Sequence, residues 1–350
     1  MTMNRFATSA AVAALATVSM AACSSSRATS TTTAAAAKPA AAATTAAAAT
    51  TAAAAKPAGK KLTIGVSVAD QKSLFYIAAV DGMKKAAADA GITLNVLSAD
   101  NDANKQVNQV NDLLTQKPDA LIFIAQDATS AAAGVKAANA AKVPVIAVDE
   151  KPESGDGQLA TYIATDSVKA AQDLCTWLFK EIGGSGEIGI LQGVLGATAM
   201  VQRTEGCNKA LALNTAIKVV ATQSANWDET QGYKAAQNML QANPGIKAIF
   251  SESDAMALGA AKAAKDANRK IVSVGIDGFP TMVQGIKDGL TQGTQAQIPY
   301  KMGQLAVVDA MKVASGDKSV PALQYQDTVL VTSANVNTVN PVDFYGPNVK

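Results

Sequence analysis

Two apolar runs that each end in an aspartate are the feature that most constrains the fold of this chain. Residues 143–152 read VPVIAVDEKP, and residues 271–280 read IVSVGIDGFP. A strand that is buried on both faces is a nearly continuous apolar run of this kind, as in a parallel sheet. Ligands of open α/β sheets bind beyond the carboxyl ends of the strands. The runs therefore predict two similar lobes that direct Asp149 and Asp277 into a shared cleft.

Strand and helix patterns alternate from Lys60 onward, which predicts parallel, doubly wound sheets. Apolar runs predict strands at residues 62–68, 93–99, 120–125, 143–148, 187–193, 216–223, 246–252 and 271–276. Helical spacing of apolar residues predicts helices at 75–90, 105–116, 129–141, 167–182, 199–213, 229–242, 254–267 and 299–314. Asp166 and Asp254 precede helical patterns, and we expect both to cap those helices.

The two halves of this series follow one plan. Residues 111–127, NDLLTQKPDALIFIAQD, and residues 237–254, QNMLQANPGIKAIFSESD, both read as helix, proline, buried strand and aspartate. From that aspartate to the aspartate that ends the next strand is 22 residues in the first half and 23 in the second. A plan that is used twice predicts an α/β fold of two doubly wound parallel-sheet lobes, with a cleft suited to a small ligand.

Charge and composition exclude several classes of function. The chain of 350 residues has a formal net charge of +2 and a pI of about 8.3, too close to neutral for a nucleic-acid-binding surface. It contains no histidine, which is the commonest general base and the commonest metal ligand. The sequence also lacks a nucleophile elbow, a metal-ligand cluster and a dinucleotide fingerprint. We therefore expect a protein that is not an enzyme and uses no metal, no cofactor and no nucleic acid.

The first residues, MTMNRFATSAAVAALATVSMAACSSS, have the pattern of an export signal. Arg5 supplies the positive region, residues 10–18 supply a short apolar stretch, and small residues mark a cleavage site. A cysteine directly after the small pair resembles the lipobox of bacterial lipoproteins. This resemblance implies a signal peptide over residues 1–22 and a lipid on Cys23. The alternative is an ordinary signal peptide with an incidental cysteine.

The stretch that follows the signal is almost entirely Ala, Thr, Ser, Lys and Pro. Residues 24–59 contain no aromatic residue and no periodic apolar face, so they cannot bury a core. We therefore expect residues 23–59 to form a disordered tether. Its lipidated Cys23 would hold the protein to the extracytoplasmic face of the cell membrane.

Two further cysteines, Cys175 and Cys207, fall on neighbouring predicted helices of the second lobe. Outside the cytosol an even pair favours oxidation, and we expect a Cys175–Cys207 disulfide. The alternative is two buried thiols. In either case the pair is structural, because the chain has no histidine to activate a nucleophile.

From about Lys60 to its end the chain resembles the type I periplasmic binding proteins, especially the ribose-binding branch. The matching stretches are FY (75–76), DG (81–82), VPVIAVDE (143–150), IATD (163–166), QRTEG (202–206), SDAMALGA (253–260), VGIDG (274–278) and AQIP (296–299). The resemblance implies a monomeric receptor whose lobes close about hinge strands over a ligand. It also implies an ABC permease in the membrane as the partner that receives this ligand.

The resemblance further implies three hinge strands where the chain crosses between the lobes. The crossings are expected near residues 165–166, 297–298 and 326–327. The N-terminal lobe would then comprise residues 60–165 and 298–326, and the C-terminal lobe residues 166–297 and 327–350.

Ten ligand-binding residues follow from position within the family. Phe75 and Tyr76 fall where two aromatic side chains sandwich a sugar ring, and Trp227 falls where a third covers it. The hydrogen-bonding positions that keep the family's residue types are Asp149, Arg203, Asp277 and Gln297. The three departures are Ser73 and Ser253, which replace asparagines, and Glu150, which stands where ribose binders carry an arginine.

These residue types also suit a hydroxyl-bearing ligand on physical grounds. Aspartate accepts two hydrogen bonds, arginine donates two, and aromatic faces cover C–H surfaces. Three carboxylates against Arg203 alone give the site a formal charge of −2, and buried charge without a partner is costly. We therefore predict a small neutral carbohydrate or polyol, or a ligand with an amine, and not a sugar acid or phosphate. Ribose stays compatible if Glu150 turns outward.

Two other functions fit part of the pattern. A sensor would present the same ligand to a membrane histidine kinase or chemoreceptor, and the sequence does not separate sensing from uptake. A transcription regulator shares the fold but requires a basic helix-turn-helix ahead of it, where this chain has an export signal and a tether. The leading interpretation is a lipid-anchored solute receptor for ABC uptake.

Overall fold

The computed structural model describes residues 61–153 and 157–349. The expected signal peptide, the lipidated Cys23 and the tether lie outside the described residues. The described part forms two six-stranded sheets packed with helices, which confirms the predicted α/β fold of two lobes. Within these residues every helix falls short of the length or apolar character that a membrane span requires.

The first lobe is a parallel sheet between two layers of helices. Its strands are β1 (Thr63–Val68), β2 (Thr93–Ser98), β3 (Ala120–Ile124), β4 (Val145–Val148), β5 (Thr161–Thr165) and β11 (Leu323–Gln326). Its helices are α1 (Leu74–Ala90), α2 (Ala103–Thr115), α3 (Ala128–Ala140) and α9 (Pro299–Ala314). The strand order is β11-β5-β4-β3-β1-β2. One core lies under α1 and α9, and a second core lies under α2 and α3.

The second lobe repeats this arrangement. Its strands are β6 (Gly186–Gln192), β7 (Ile217–Ser224), β8 (Ile246–Ser251), β9 (Val272–Asp277), β10 (Gly293–Ala296) and β12 (Val329–Thr332). Its helices are α4 (Ser167–Glu181), α5 (Thr198–Ala212), α6 (Glu229–Ala242), α7 (Asp254–Asp266) and α8 (Pro280–Lys287). The strand order is β12-β10-β9-β8-β6-β7.

The central strands are buried throughout, as continuous apolar runs require. All residues of β3 and β4 are buried, which matches a strand covered by helices on both faces. Glycines within the helices allow neighbouring helices to approach one another closely. A Cβ atom on Gly303 of α9 would lie 1.9 Å from the carbonyl oxygen of Ala79, so these helices pack backbone to backbone. The same tight packing occurs between α4 and α5 at Gly206.

Cys175 of α4 and Cys207 of α5 are joined by a disulfide, with their Cα atoms 5.4 Å apart. Both residues are fully buried in the core that lies beneath these two helices. The bond therefore crosslinks two helices that already pack closely.

The chain passes between the two sheets three times. It leaves β5 of the first sheet for α4, returns from β10 of the second sheet to α9, and runs directly from β11 into β12. The carboxyl ends of both sheets face the cleft. A strand that leaves the first sheet at that edge must enter the second from its own carboxyl edge. This geometry explains why β12 runs antiparallel to β10 at the edge of an otherwise parallel sheet.

The C-terminal segment contacts both lobes. A short helix, α10 (Val342–Tyr345), packs against α1 and α9 of the first lobe. Its residues Phe344 and Tyr345 share a small core with Ala78 of α1 and Val331 of β12. The expected assignment of residues 327–350 to the C-terminal lobe alone leaves out these contacts.

One of the two expected helix caps is confirmed and the other is wrong. The side chain of Asp166 accepts a hydrogen bond of 3.0 Å from the backbone N–H of Lys169 and caps α4. Ser253, not Asp254, caps α7. Asp254 is the first helical residue, and its carboxylate instead binds the turn that follows β9.

Candidate ligand-binding cleft

A cavity of about 700 Å³ lies where the carboxyl ends of the two sheets meet. This volume is typical of sites for small molecules. All of the predicted contact residues line it, namely Ser73, Phe75, Tyr76, Asp149, Glu150, Arg203, Trp227, Ser253, Asp277 and Gln297. Polar residues that were not predicted from the sequence line it as well, namely Asp70, Lys72, Asn101, Gln126, Asn226, Glu229 and Thr281. Asn101 and Asn226 have left-handed backbone conformations in loops after strands, and such loops give no signal in a periodic pattern.

Arg203 is the central cation of the second-lobe wall. It projects from α5, and only 4% of its surface is exposed. Its Nη1 lies 3.6 Å from Oδ1 of Asp277 and donates a hydrogen bond to the backbone carbonyl of Glu252. Its Nε is buried without a hydrogen-bond partner among the described residues. An unpaired buried donor costs free energy, so a ligand that accepts from Nε would relieve that cost.

Asp277 is fixed from several directions at the end of β9. Its Oδ1 accepts a hydrogen bond of 2.9 Å from Nε2 of Gln297, and its Oδ2 accepts one of 3.2 Å from the backbone N–H of Asp254. Gln297 in turn accepts a hydrogen bond of 2.6 Å from the hydroxyl of Thr165 in the first lobe. The hydroxyl of Tyr345 donates to the backbone carbonyl of Asp277 at 2.8 Å. The carboxylate is therefore held in one orientation.

Two acidic residues behind the wall support Arg203 and Asp277. Glu252 is fully buried, and its carboxylate accepts hydrogen bonds from the hydroxyl of Thr204 at 2.6 Å and from the N–H of Gly193 at 2.8 Å. Burial raises the pKa of Glu252 to about 7, although these hydrogen bonds act in the opposite direction. A substantial fraction of this carboxyl is therefore neutral near pH 7.

Asp254 is the second of these supporting residues. It accepts hydrogen bonds from Phe279 N–H at 2.9 Å and from the hydroxyl of Thr294 at 2.7 Å. Burial, and then repulsion from Asp277, raises the pKa of Asp254. Burial also raises the pKa of Asp277, which Arg203 opposes. Protonation within this pair lowers the negative charge that Arg203 must balance.

The first-lobe acid, Asp149, follows β4 in a left-handed backbone conformation with φ of 65°. Aspartate tolerates this conformation better than most residues. The backbone is held by hydrogen bonds from Asp149 N–H to Ile163 and from the Tyr162 hydroxyl to the Asp149 carbonyl. Burial raises the pKa of Asp149, whereas Arg203 and a hydrogen bond with Tyr76 lower it. Asp149 and Arg203 of the opposite lobe thus line the same cavity.

Aromatic side chains flank the cavity on both sides. Phe75 and Tyr76 begin α1, with ring centroids 5.7 Å apart and ring planes at 85°. Phe75 is buried and also packs in the first-lobe core, whereas Tyr76 is half-buried. In the second lobe the guanidinium carbon of Arg203 lies 5.6 Å from the centroid of the Trp227 ring. A Cβ atom on Gly193 would lie 1.9 Å from that ring, so the ring position requires glycine there.

The two serines occupy helix starts. Ser73 precedes α1, and its side chain makes no capping hydrogen bond, while its N–H donates to Asp70 at 2.9 Å. Ser253 caps α7 through a long hydrogen bond of 3.4 Å from the N–H of Met256. Both serines border the cavity.

Glu150 reaches from the first lobe to the second. Its Oε1 accepts a hydrogen bond of 2.6 Å from the Thr198 hydroxyl, and its Oε2 lies 3.1 Å from the Thr198 backbone nitrogen. The residue is 8% exposed, and burial raises its pKa to about 7. Both carboxyl oxygens are thus engaged by α5 at the edge of the cavity.

Comparison with known proteins places this architecture in a family. The periplasmic binding protein domain matches residues 64–318, most of the chain. The ribose import binding protein of Bacillus subtilis is 34% identical over 259 residues, which make up 74% of this chain and 84% of that protein. The xylitol-binding protein of Mycolicibacterium smegmatis is 34% identical over 263 residues, which make up 74% of each chain.

A solved structure shows the same fold. It is an ABC transporter solute binding protein from Mycobacterium smegmatis with bound glycerol, with a TM-score of 0.76 and 31% identity. The match covers 82% of this chain and 100% of that chain. The two lobes, the three crossings and the long sequence matches lead to one conclusion: this chain belongs to the periplasmic binding protein family, in its type I, ribose-binding-protein-like group.

Proposed function

We propose that this protein is the extracytoplasmic solute-binding component of an ABC importer and binds a small neutral monosaccharide or polyol. The observation that carries the proposal is the cavity between the lobes. There Asp149 of one lobe and the Asp277–Arg203 pair of the other line one space, and Tyr76 and Trp227 line it from opposite lobes. Relatives named for ribose and xylitol, and a structure with bound glycerol, support this ligand class.

Each wall residue has a role in this proposal. Asp149 and Asp277 accept hydrogen bonds from ligand hydroxyl groups, and Arg203 donates to ligand oxygens. Gln297 and the hydroxyls of Ser73 and Ser253 add further polar contacts. Tyr76 and Trp227, with Phe75 behind, cover the C–H faces of the ligand. Glu150 borders the same cavity, and its carboxyl group is directed toward Thr198.

The excess of acids over cations favours a neutral ligand. Five acidic residues line the cavity, against the two cations Lys72 and Arg203, and the acids are Asp70, Asp149, Glu150, Glu229 and Asp277. A carboxylate or phosphate on the ligand would add negative charge beside these groups in a partly dehydrated space, which is unfavourable. Neutral hydroxyl groups can both donate and accept, so they match the wall without adding charge.

We further propose that ligand binding closes the cleft by rotation about the three crossings. The connection between β11 and β12 is two residues long, and the other crossings are equally direct. Motion about such short segments is a hinge motion that leaves both lobes intact. The closed, monomeric protein would then dock on the ABC permease and release its ligand.

Calorimetric titration tests the ligand class. Ribose, xylitol and myo-inositol are titrated into the protein, with gluconate and ribose 5-phosphate as charged controls. We expect at least one neutral compound to bind with a free energy of about −8 kcal/mol, which corresponds to a micromolar Kd. Tight binding of a charged control, with no binding of the neutral compounds, would contradict the proposal.

We propose that Cys23 carries the lipid that anchors the protein to the outer surface of the cell membrane. The sequence pattern around this cysteine supports the proposal. Cells that express the Cys23→Ala variant are labelled with a clickable fatty acid and then fractionated. We expect the variant to lose the label and to leave the membrane fraction, while the Ser24→Ala control keeps both. Labelling of the Cys23→Ala variant would contradict the anchor.

A further inference from the structure

The side chain of Glu150 makes a contact that joins the two lobes across the cleft. Glu150 follows β4 of the first lobe, and Thr198 is the first residue of α5 in the second lobe. The Glu150 carboxyl accepts from both the hydroxyl and the backbone N–H of Thr198. The other interlobe hydrogen bonds within residues 61–153 and 157–349 lie at the crossings or on the C-terminal segment, such as Thr165 with Gln297 and Asp81 with Asn348.

The start of α5 needs an acceptor from outside its own segment. The first N–H groups of a helix have no partner within the helix and are usually capped by a side chain that precedes them. The residue in the capping position is Ala197, which has no polar side chain. Glu150 supplies the acceptor instead, from the opposite lobe. Rotation that opens the cleft would break this cap and leave the Thr198 N–H to water.

Two neighbouring carboxylates favour the neutral form of Glu150, whereas the hydrogen bonds from Thr198 favour its charged form. The carboxylates of Asp149, on the same loop, and Asp127, at the start of α3, repel a charge on it. The phenol groups of Tyr76 and Tyr162 lie close enough to Glu150 to interact with it electrostatically. Lys151, the neighbouring cation, lies over the Tyr162 ring at 5.9 Å. No salt bridge to Glu150 occurs among the residues that the structure describes.

The hydrogen-bond geometry also fits a protonated carboxyl. Oε1 lies 2.6 Å from the Thr198 hydroxyl oxygen, and the Thr198 nitrogen lies 3.2 Å from Oε1 and 3.1 Å from Oε2. A carboxylic acid can donate through its O–H to the hydroxyl oxygen while its carbonyl oxygen accepts from the N–H. Thr198 alone can therefore bind both the O–H group and the carbonyl oxygen of a protonated Glu150.

We propose that Glu150 and Thr198 form an interlobe clasp that stabilises the closed cleft, and that the clasp is strongest when Glu150 carries a proton. Glu150 is then a positioning residue that raises the affinity for every ligand of the cleft without selecting among them. The inference rests on the proposed function, because it assumes that the cleft closes over a sugar or polyol.

Linkage gives the direction of the pH effect. Burial, the largest cause, and repulsion from Asp149 raise the pKa of Glu150 to about 7 in the closed cleft, against the hydrogen bonds from Thr198. Opening returns the carboxyl to water and to its ordinary value of 4.5. Closure therefore takes up a proton, so the contribution of the clasp is complete below about pH 4.5 and is lost as the pH rises through about 7.

Three variants of the full chain test the clasp. Glu150→Gln keeps one acceptor and one donor and so mimics the protonated acid, whereas Glu150→Ala removes both. Glu153→Gln makes the same charge change at an exposed position three residues away and serves as the matched control. Each protein is titrated with ribose, xylitol and myo-inositol at about pH 6 and about pH 8.5. The radius of gyration without ligand is measured at both pH values.

At about pH 6 we expect Glu150→Ala to raise the Kd of every bound compound by the same factor, about fivefold to tenfold. Glu150→Gln should stay within about twofold of the unchanged protein at that pH and should weaken less at about pH 8.5. Glu153→Gln should follow the unchanged protein. The ligand-free Glu150→Ala protein should have the larger radius of gyration at about pH 6.

Three results would overturn the inference. The first is an unchanged affinity in Glu150→Ala, and the second is the same pH dependence in Glu150→Gln as in the unchanged protein. The third is a change in the relative affinities of the compounds, which would make Glu150 a ligand contact. If the unchanged protein binds none of the compounds, the proposed function fails. The clasp is then still judged by whether Glu150→Ala changes the radius of gyration.

Discussion

Nη1 of Arg203 lies 3.6 Å from Oδ1 of Asp277, and the two side chains are only 5% and 9% exposed. The same guanidinium donates to the carbonyl of Glu252 and lies against the ring of Trp227. Arg203 therefore contacts an acidic side chain, the backbone at the end of a strand and an aromatic ring, all in the second-lobe wall of the cavity. Most of our predictions about this protein follow from the residues around it.

Replacement of Arg203 with methionine should abolish binding and lower stability. The change leaves Asp277 buried without its cation, and breaking a buried ion pair in this way costs about 3–5 kcal/mol. Urea unfolding measures the loss of stability, and titration with xylitol measures binding. The control is Lys209→Met, on the same helix, which removes an exposed pair with Glu205 and should leave the unfolding midpoint unchanged. Binding of xylitol to Arg203→Met at the original affinity would contradict the role of Arg203.

Trp227 should report ligand binding through its fluorescence. Its ring lines the cavity, whereas the other tryptophan, Trp177, lies on α4 away from the cavity wall. A bound sugar or polyol that covers the Trp227 ring changes its environment. We expect the fluorescence change on addition of xylitol to disappear in Trp227→Phe and to persist in Trp177→Phe. The opposite result would place the ligand elsewhere.

Stability should decrease as the pH rises from about 5.5 to about 8. Unfolding returns Glu252 from a pKa of about 7 to its ordinary value of 4.5, so the folded protein holds a proton that the unfolded chain releases. The contribution of Glu252 is therefore complete below about 4.5 and is lost as the pH rises through about 7. The raised pKa values of Asp254 and Asp277 act in the same direction.

The contribution of Glu252 can be separated by the Glu252→Gln variant, which keeps an acceptor for Gly193 and a donor for Thr204. We expect its urea midpoint to depend less on pH than that of the unchanged protein. Glu205→Gln, at an exposed position, should keep the full dependence. A midpoint that rises toward pH 8 in the unchanged protein would show that the sign of the effect is wrong.

Loss of the disulfide should lower stability without loss of binding. Cys175 and Cys207 are 32 residues apart, and a bond that closes a loop of this size typically contributes about 2–4 kcal/mol. Neither residue lines the cavity. The double variant Cys175→Ala/Cys207→Ala should therefore unfold at lower urea concentration and still bind xylitol. A midpoint equal to that of the oxidised protein would contradict the prediction, and chemical reduction of the unchanged protein in urea provides the comparison.

The strand ends and their aspartates were predictable because their signals are local. An apolar run that stops at an acid indicates both the buried strand and the position of the carboxylate. Other parts of the site depend on distant partners. Asp254 binds Phe279 and Thr294, which lie 25 and 40 residues further along the chain, and a pattern of neighbours cannot reveal such contacts. The contact of Glu150 with Thr198, at a separation of 48 residues, was missed for the same reason.

Short elements were also missed. The strands β10, β11 and β12 contain four residues each, too few to show a period, and two of them are only partly buried. The antiparallel direction of β12 follows from the meeting of two carboxyl edges, which is a property of the whole molecule. The family resemblance indicated where the chain crosses, although it could not supply this direction.

The hydrogen bond from the Tyr345 hydroxyl to the carbonyl of Asp277 has a consequence for the synthesis and the purification of the protein. Every residue that lines the cavity precedes residue 298, whereas Tyr345 emerges from synthesis and export much later. During synthesis, all the residues that line the cavity are therefore made before Tyr345, which forms the hydrogen bond to the backbone carbonyl of Asp277. Proteolysis that removes Tyr345 would yield a product that retains all the side chains that line the cavity but lacks this hydrogen bond to the end of β9. An intact C-terminus should accordingly be verified by mass spectrometry before a weak titration is attributed to the wrong sugar.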